Sequence, residues 1–454
     1  MVAGSVMMPA LVADMMGEEQ ANQYAPRKTH FSPKARRVIF INLSGGVSHL
    51  DTFDHKPQLY RDHGKEIAKG DHPEIQNRPG YERIFLKTPQ WQFKRYGQCG
   101  KEVSSLFPEV ARCVDDIAFI NSMHTSHSNH YNATLGMHTG SFTVTRPSIG
   151  AWVSYGLGTE NQNLPSFIVI APHSPYAGGQ VWGSDFLPGA HQGTRVVPGS
   201  NPVPNITPRV SGKLQKLELA ALRRRNQQHL AKQPANPELA ARMRAFETAF
   251  GMQMAVPEAF DFTRESGATH DLYGLKPGQN KGFGWQCLAA RRLAERGVRF
   301  IELIHTGSSG NWDSHGNMMD HERLAKQVDR PIYGLLTDLK QRGLLDDTLV
   351  IWGGEFGRTI YCQGGLTREN YGRDHHPRCF TMWLAGGGVA AGTTHGETDD
   401  FSYNVARDPV HVHDLNATIL RLLGIDHLRL THKFQGRNHR LTDVHGKVIE
   451  EILA

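Results

Sequence analysis

The chain has 454 residues, of which 39% are hydrophobic, so it can bury a large core as one α/β domain or as two or three smaller domains. Charged residues make up 21% and give a net charge of +6, a mild preference for anionic ligands that excludes the clustered basic surface of a nucleic-acid-binding protein. No run approaches about 18 uninterrupted apolar residues, which excludes a membrane span.

The N-terminal residues differ in composition from the rest. Residues 1–16 are small and apolar and are followed by a polar linker, a pattern that resembles the end of a signal peptide without its basic first part. The pattern predicts a secreted or periplasmic protein, with a disordered or helical tail as the alternative. We therefore divide the chain into a residual signal and linker segment, 1–35, and one domain, 36–454.

Short apolar runs and helical patterns alternate along this domain. Six runs are predicted to form buried strands, at residues 36–43, 117–120, 167–170, 298–304, 348–352 and 380–385. Helical periodicity covers residues 285–296, 321–342 and 413–423. The alternation predicts an α/β fold, a doubly wound and mostly parallel sheet with helices on both faces. A helical insertion at about 207–250 interrupts it with two charged helices, 214–230 and 237–250.

Polar, histidine-rich segments follow most of the predicted strands, and the sequence has 25 histidines and five widely spaced cysteines. Since ligands of such sheets bind beyond the carboxyl ends of the strands, these segments are the candidate site. Histidine is the commonest metal ligand, and the absence of any Cys-x-x-Cys pair argues against a thiolate zinc site.

The first two segments follow the strands at 36–43 and 117–120. His49 and Asp51 lie after a glycine turn and are candidate metal ligands, although a carboxylate here could instead cap a helix. Ser126, Ser128 and His130 lie at a predicted helix start, where the exposed N–H groups favour an anion such as sulfate or phosphate. Capping of the helix by these side chains is the structural alternative.

The later segments complete the candidate set. Asp313 and His315 are two residues apart in a flexible loop and form the strongest metal candidate, with a simple turn as the alternative. Glu355 follows the next strand as a ligand or base. Arg358 and Arg373 are candidate anion clamps, and of the adjacent His375 and His376 we expect only one to face the site.

In this order, the segments resemble the bacterial family called "domain of unknown function 1501", a branch of the alkaline phosphatase and sulfatase superfamily. The resemblance covers residues 26–450 and is carried by RVIF at 37–40, SGGVSHLDTFD at 44–54, MHTG at 137–140, RPSIGAW at 146–152, WDSHGN at 312–317, GEFGRT at 354–359, GRDHHP at 372–377 and GETD at 396–399.

The resemblance implies an alkaline-phosphatase-like fold, export, and activity on sulfate or phosphate esters with one or two divalent cations. The chain departs from the superfamily pattern at several places. It has no Cys-x-Pro-x-Arg signature for a formylglycine nucleophile, and the spacing back from Thr139 reaches His130 rather than a hydroxyl residue. Asn42 replaces the strand-end carboxylate, and Glu355–Phe356 stands where relatives carry an Asp-His or Asp-Asn pair.

We therefore predict a metal-dependent hydrolase of sulfate or phosphate monoesters. Zinc is the first choice of cation, with calcium, manganese or magnesium as alternatives, and the substrate is an anionic small molecule or a carbohydrate ester. A binding module that has lost its nucleophile is one alternative, and a phosphodiesterase or phosphomutase of the same superfamily is another.

Overall fold

We describe the protein from a computed structural model. The structure describes residues 25–67, 83–161, 163–204, 206–207, 210–232, 237–362 and 371–454. Most of the predicted signal and linker segment, residues 1–24, lies outside this part of the chain.

A nine-stranded mixed sheet organises the domain. Its strands in chain order are β1 (Arg37–Asn42), β2 (Ile117–His124), β3 (Phe167–Ile170), β4 (Thr194–Val196), β5 (Phe300–Ile304), β6 (Thr348–Gly353), β7 (Phe380–Ala385), β8 (Thr394–His395) and β9 (Val410–His411). The spatial order is β8-β2-β7-β6-β1-β5-β3-β4, and β9 also pairs with β2. Because β7 is antiparallel to both β6 and β2, strand β2 runs in the same direction as β1, β5 and β6.

Helices cover both faces of this sheet. Among the described residues the α-helices are α1 (Pro57–Arg61), α2 (His130–Thr139), α3 (Ile149–Leu157), α4 (Gly212–Lys232), α5 (Pro237–Phe260), α6 (Gly267–Leu272), α7 (Phe283–Glu295), α8 (Met319–Gln341) and α9 (Val412–Leu422). None of them is both long and apolar enough to cross a membrane.

The alternation of side chains along β1 shows how the two faces are filled. Ile39 and Ile41 pack into one core with α7 and α8, whereas Val38 and Phe40 pack into a second core with α3 and α9. Successive side chains of a strand point to opposite faces, so a strand buried on both sides is apolar throughout. The predicted α/β fold is confirmed.

Helices α4 and α5 lie where the sequence predicts a charged insertion. No residue of α4 is buried, while α5 runs ten residues beyond its predicted end and adds Met252 and Val256 to the core. The two helices are joined by an ion pair of 2.9 Å between Arg223 and Glu247.

Short two-stranded ladders lie outside the nine-stranded sheet. They pair Glu66–Ile67 with Ile84–Phe85, Phe93–Tyr96 with Lys101–Ser104, Gly357–Arg358 with His375–His376, Glu397–Thr398 with Val405–Arg407 and His432–Phe434 with Arg437–His439. The ladder of Gly357–Arg358 with His375–His376 follows β6 and places Arg358 opposite His375.

A buried ion pair lies between the sheet and α2. His138 Nε2 is 2.7 Å from Glu302 Oε1, and both side chains are buried. Burial by itself lowers the pKa of His138, but the charge and hydrogen bond of Glu302 and the Thr134 carbonyl raise it above the usual histidine value. The pair therefore ties α2 to β5 beneath the edge where the strands end.

Candidate metal centre

Four segments meet at the carboxyl edge of the sheet. Asp313 lies in the loop after β5, Glu355 follows β6, His130 begins α2 after β2, and His375 lies in the ladder that precedes β7. The strands β2, β5 and β6 are co-directional, so their following segments converge as the strand-end rule predicts.

A glycine turn after β1 allows this approach. Gly45 has a φ of +112°, and a Cβ there would lie 2.7 Å from the backbone nitrogens of both Trp312 and Asp313. Only glycine fits such a conformation and contact without displacement. The Gly45 N–H in turn donates to both carboxylate oxygens of Glu355, at 2.9 and 3.2 Å.

Asp313 is the hub of the cluster. Its Oδ1 is 2.8 Å from His315 Nε2 and 3.1 Å from His375 Nε2, and its Oδ2 is 3.2 Å from His130 Nε2. Burial alone would raise the pKa of Asp313, but its contacts with these histidines and the charge of Arg358 hold it well below its usual value. Asp313 is therefore a carboxylate at neutral pH.

The tautomer of His375 makes this cluster a fit for a cation. Its Nδ1 lies 2.8 Å from the carbonyl oxygen of Ser128, which can only accept, so Nδ1 carries the proton. Burial lowers the pKa of His375 in spite of Asp313, so the ring is neutral and its Nε2 is unprotonated. That lone pair faces a carboxylate oxygen at 3.1 Å and His315 Nε2 at 2.9 Å. A divalent cation would satisfy all three.

The potential ligand atoms fall into two overlapping groups. Among the described residues, those of His130, Asp313 and His375 lie within 4.8 Å of one another, and so do those of His315, Asp374 and His375. Carboxylate oxygen and imidazole nitrogen are the ligand types that zinc and other divalent transition metals take. The donor set therefore fits such an ion.

His130 forms a second functional unit with Glu355. Its Nδ1 is 2.6 Å from Glu355 Oε1, and its ring stacks on Tyr176 at 4.1 Å and contacts Phe356 at 4.8 Å. Burial lowers the pKa of His130, but the bonds with Asp313 and Glu355 raise it more, so it lies above the usual value. The bond from Nδ1 to Glu355 directs Nε2 toward Asp313.

The two arginines do not lie free for an anion, contrary to the predicted clamp. Arg358 and Arg373 are both 0% exposed. Arg358 donates to the carbonyls of Gly45, Gly46, Trp312 and Arg373 and to Asp313 Oδ1. Arg373 donates to Asp51 and to the carbonyls of Thr359 and Lys87. Their donors already bind protein groups, so the geometry assigns them to positioning the loops.

The remaining predicted metal ligands lie in other surroundings. Asp51 accepts from Ser48 Oγ at 2.5 Å and pairs with Arg373 at 2.8 Å. His49 lies 3.8 Å from Cys379 Sγ, and His376 Nε2 donates to the Tyr403 carbonyl at 2.7 Å. These three and Glu355 belong to neither ligand group found among the described residues. As the ladder register requires, His375 faces the cluster and His376 points elsewhere.

The two candidate serines form their contacts with residues other than Asp313. Ser126 Oγ is 2.9 Å from His411 Nε2, and Ser128 contributes its carbonyl to His375. Asn129, not a hydroxyl residue, caps α2 by accepting from the Tyr131 N–H at 3.0 Å. Neither serine hydroxyl has a contact with the cluster that would mark it as a nucleophile.

Three residues of the site were not among the predicted site residues. Asp374 lies 3.6 Å from His315 Nδ1, and Tyr176 and Asn311 are joined by a 2.9 Å hydrogen bond beside His130. The motif at 372–377 already contained Asp374, so it could have been selected. Tyr176 follows β3 in a segment whose composition carries no metal signal.

Comparison with protein families identifies the chain. The family model described as "Protein of unknown function (DUF1501)" matches residues 35–453. The chain belongs to this family. None of the curated proteins matches it.

Solved structures with a similar course of the chain include three proteins of low sequence identity. The lipoteichoic acid synthase LtaP from Listeria monocytogenes has 11% identity and a TM-score of 0.37, with 90% of this chain and 78% of that chain covered. The PsFucS1 sulfatase from Pseudoalteromonas sp. has 12% identity, a TM-score of 0.35 and coverage of 93% and 72%. The phosphonate monoester hydrolase SpPMH from Silicibacter pomeroyi has 10% identity, a TM-score of 0.36 and coverage of 92% and 76%.

Proposed function

We propose that this member of the DUF1501 family is a metal-dependent hydrolase of sulfate or phosphate monoesters. The observation that carries the proposal is the convergence of the Asp313 carboxylate with the unprotonated Nε2 of His375 and with His315. Such a group of lone pairs, partly buried at a strand edge, is stable when a cation lies between them.

Asp313, His315 and His375 would hold the divalent cation, with Asp374 beside His315. When bound, a divalent cation polarises ester oxygens and lowers the pKa of water. Zinc suits the imidazole-rich set best, and manganese, magnesium and calcium are the alternatives. The cation-binding proposal thus replaces His49, Asp51, Glu355 and His376 with Asp374.

His130 is the proposed acid–base residue. Its Nδ1–H bond to Glu355 fixes the ring, so that Nε2 can accept a proton from an attacking water and return it to the leaving oxygen. The hydrogen bonds and charges of Asp313 and Glu355 raise the pKa of His130, which makes the ring a stronger proton acceptor. In this scheme the nucleophile is a water molecule, because the start of α2 has no serine or threonine.

The test combines metal analysis with a substrate screen. Protein stripped with EDTA is reloaded separately with zinc, manganese, magnesium or calcium, and assayed on 4-nitrophenyl sulfate and 4-nitrophenyl phosphate. We expect turnover with at least one ion and a loss on the order of 100-fold in Asp313→Asn, since removal of a ligand charge weakens both metal binding and catalysis. Asp320→Asn, an exposed aspartate after the same loop, is the matched control.

Two results would contradict the proposal: turnover unchanged in Asp313→Asn, or no turnover with any ion and both ester types. Bis(4-nitrophenyl) phosphate and product analysis on phosphorylated sugars separate a monoesterase from a phosphodiesterase or a phosphomutase.

A metal-binding module without turnover is the second candidate function. It is favoured by the absence of a hydroxyl at the start of α2 and by the occupied donors of Arg358 and Arg373. Bound metal that is lost in Asp313→Asn, together with inert behaviour in the ester screen, would support this candidate instead of the hydrolase.

Export remains part of the proposal. It rests on the apolar residues 1–16 and on the family resemblance, and it is tested by cell fractionation of the full chain carrying a C-terminal tag, with periplasmic or extracellular recovery as the expected outcome.

A further inference from the structure

A second cluster of imidazoles lines a cavity of about 660 Å³. We call it the histidine cavity and define it by His124, His411, His413 and His445. Their rings are in consecutive contact: centroids are 5.0 Å apart for His124 and His411, 4.8 Å for His411 and His413, and 4.9 Å for His413 and His445. The last two pairs are stacked, so three rings form a column that ends in the exposed His445.

The histidine cavity adjoins the metal centre through one loop. Ser126, on the loop between β2 and α2, lines the cavity and contacts His411, and two residues further Ser128 contributes its carbonyl to His375. A ligand in the cavity therefore lies against the same short segment that orients the metal centre.

The tautomer of His411 is fixed by its contacts. Its Nδ1 accepts from the His413 backbone N–H at 3.2 Å, so Nε2 carries the proton and donates to Ser126 Oγ. A base that activates a serine must accept from the hydroxyl instead. Ser126 and His411 are consequently a hydrogen-bonding pair and not a nucleophile with its base.

Burial lowers the pKa of three of the four cavity imidazoles, which favours their uncharged form. Burial, followed by the charges of neighbouring histidines, lowers the pKa of His411 to about 3 and that of His413 to about 4, and burial also lowers the pKa of His124. Of the charged groups that act on His413, His445 and Arg146 lower its pKa, and Asp414 and Asp443 raise it. Lys447 also lines the cavity, and its backbone N–H binds Asp414.

His413 has one ring nitrogen that is buried and not hydrogen-bonded. Its side chain is 5% exposed, and its Nδ1 has no hydrogen-bond partner in the described part of the chain. A buried polar atom of this kind is costly unless a ligand or water pairs with it.

The arrangement selects against two ligand classes. A metal ion needs converging lone pairs, yet no three of these histidines offer ligand atoms within 4.8 Å of one another among the described residues. An anion needs net positive charge, but burial favours the neutral forms of His411 and His413, and the lining carries Asp414 as well as Lys447. What the cavity offers is hydrogen-bond donors and acceptors on imidazole rings, together with flat faces that include Phe142.

We propose that the histidine cavity binds a neutral polyhydroxylated ring, that is, a saccharide unit. Ring hydroxyls both donate and accept, matching neutral imidazole and the Ser126 hydroxyl, and the apolar face of a pyranose stacks on the outer ring of the column. If the proposed function holds, this unit is the alcohol portion of the ester, and the substrate class is a sulfated or phosphorylated carbohydrate.

The test measures binding separately from turnover. The probes are the neutral methyl glycosides of glucose, galactose, mannose and fucose, detected by saturation-transfer NMR on the full chain. We expect at least one to bind, with affinity about fivefold weaker in His445→Ala, because an exposed stacking ring is worth roughly 1 kcal/mol. His229→Ala, at an exposed histidine of α4, should leave binding unchanged.

The inference is overturned if none of the four glycosides binds, if His445→Ala binds as the wild type does, or if sulfate or Zn²⁺ competes for the cavity. Binding is repeated in Asp313→Asn, which leaves the cavity intact. Glycoside binding should persist in this variant while turnover is lost. In the wild type, glycoside binding with no ester turnover would refute the hydrolase alone, and turnover without glycoside binding would refute the cavity assignment alone.

Discussion

Replacement of Arg358 by lysine separates a loop-positioning arginine from an anion clamp. Arg358 is buried and donates to five acceptors, namely four backbone carbonyls and Asp313 Oδ1. Lysine keeps the charge but has only three N–H donors on a flexible stem, so at least two acceptors lose their partner.

The magnitude follows from that count. A buried acceptor left without a partner costs about 1–3 kcal/mol, so Arg358→Lys should lower the free energy of unfolding by about 2–6 kcal/mol. The loops carrying Gly45 and Asp313 would lose their shared contact, and metal affinity should fall together with stability.

Chemical denaturation of the metal-free protein measures the loss, and Arg225→Lys, at an exposed arginine of α4, is the control that should change it by less than about 0.5 kcal/mol. Sulfate titration by calorimetry completes the assay. The positioning role is refuted if Arg358→Lys is as stable as the wild type and loses only sulfate affinity, which is the behaviour of a clamp that contacts substrate.

Three further predictions concern the turn, the buried ion pair and the cation. Gly45→Ala should lower the unfolding free energy by at least about 2 kcal/mol, because the added Cβ meets backbone atoms. Gly310 has a φ of +60° but open space around it, so Gly310→Ala should cost only about 1 kcal/mol. Equal losses in the two variants would contradict the contact argument. His138 has a raised pKa, so its contribution is complete below about pH 6.5 and is lost as pH rises through its folded pKa. The stability difference between wild type and His138→Gln should therefore shrink between pH 6 and pH 9, and a difference that grows would refute the charged pair. Zinc at one hundred times its dissociation constant should raise the unfolding free energy by about 2.7 kcal/mol in the wild type but not at the same concentration in His375→Ala; equal stabilisation would exclude His375 as a ligand.

The sheet was predictable because its central strands are mostly apolar on both faces. Strand β1, for example, is apolar from Val38 to Ile41 because alternate residues enter different cores. The strand-end rule then selected one edge of the sheet, where the structure brings His375 into contact with Asp313 and His315 of the loop after β5.

The environment of individual side chains was not predictable in the same way. Arg358 contacts Gly46, which is 312 residues away in the chain, and no local pattern distinguishes such a buried arginine from an exposed one. The difference between His375 and His376 was expected in kind, but which of the two faces the site depends on the ladder with Gly357–Arg358. The contact of Ser126 with His411 likewise depends on the pairing of β2 with β9.

Anomalous diffraction at the zinc absorption edge, on crystals grown with ZnCl₂, tests the central claim most directly. The account predicts a peak about 2.0–2.2 Å from an oxygen of Asp313 and from Nε2 of His375, and loss of that peak in Asp313→Asn. A peak between His49 and His376 or in the histidine cavity, with none at Asp313, would contradict it.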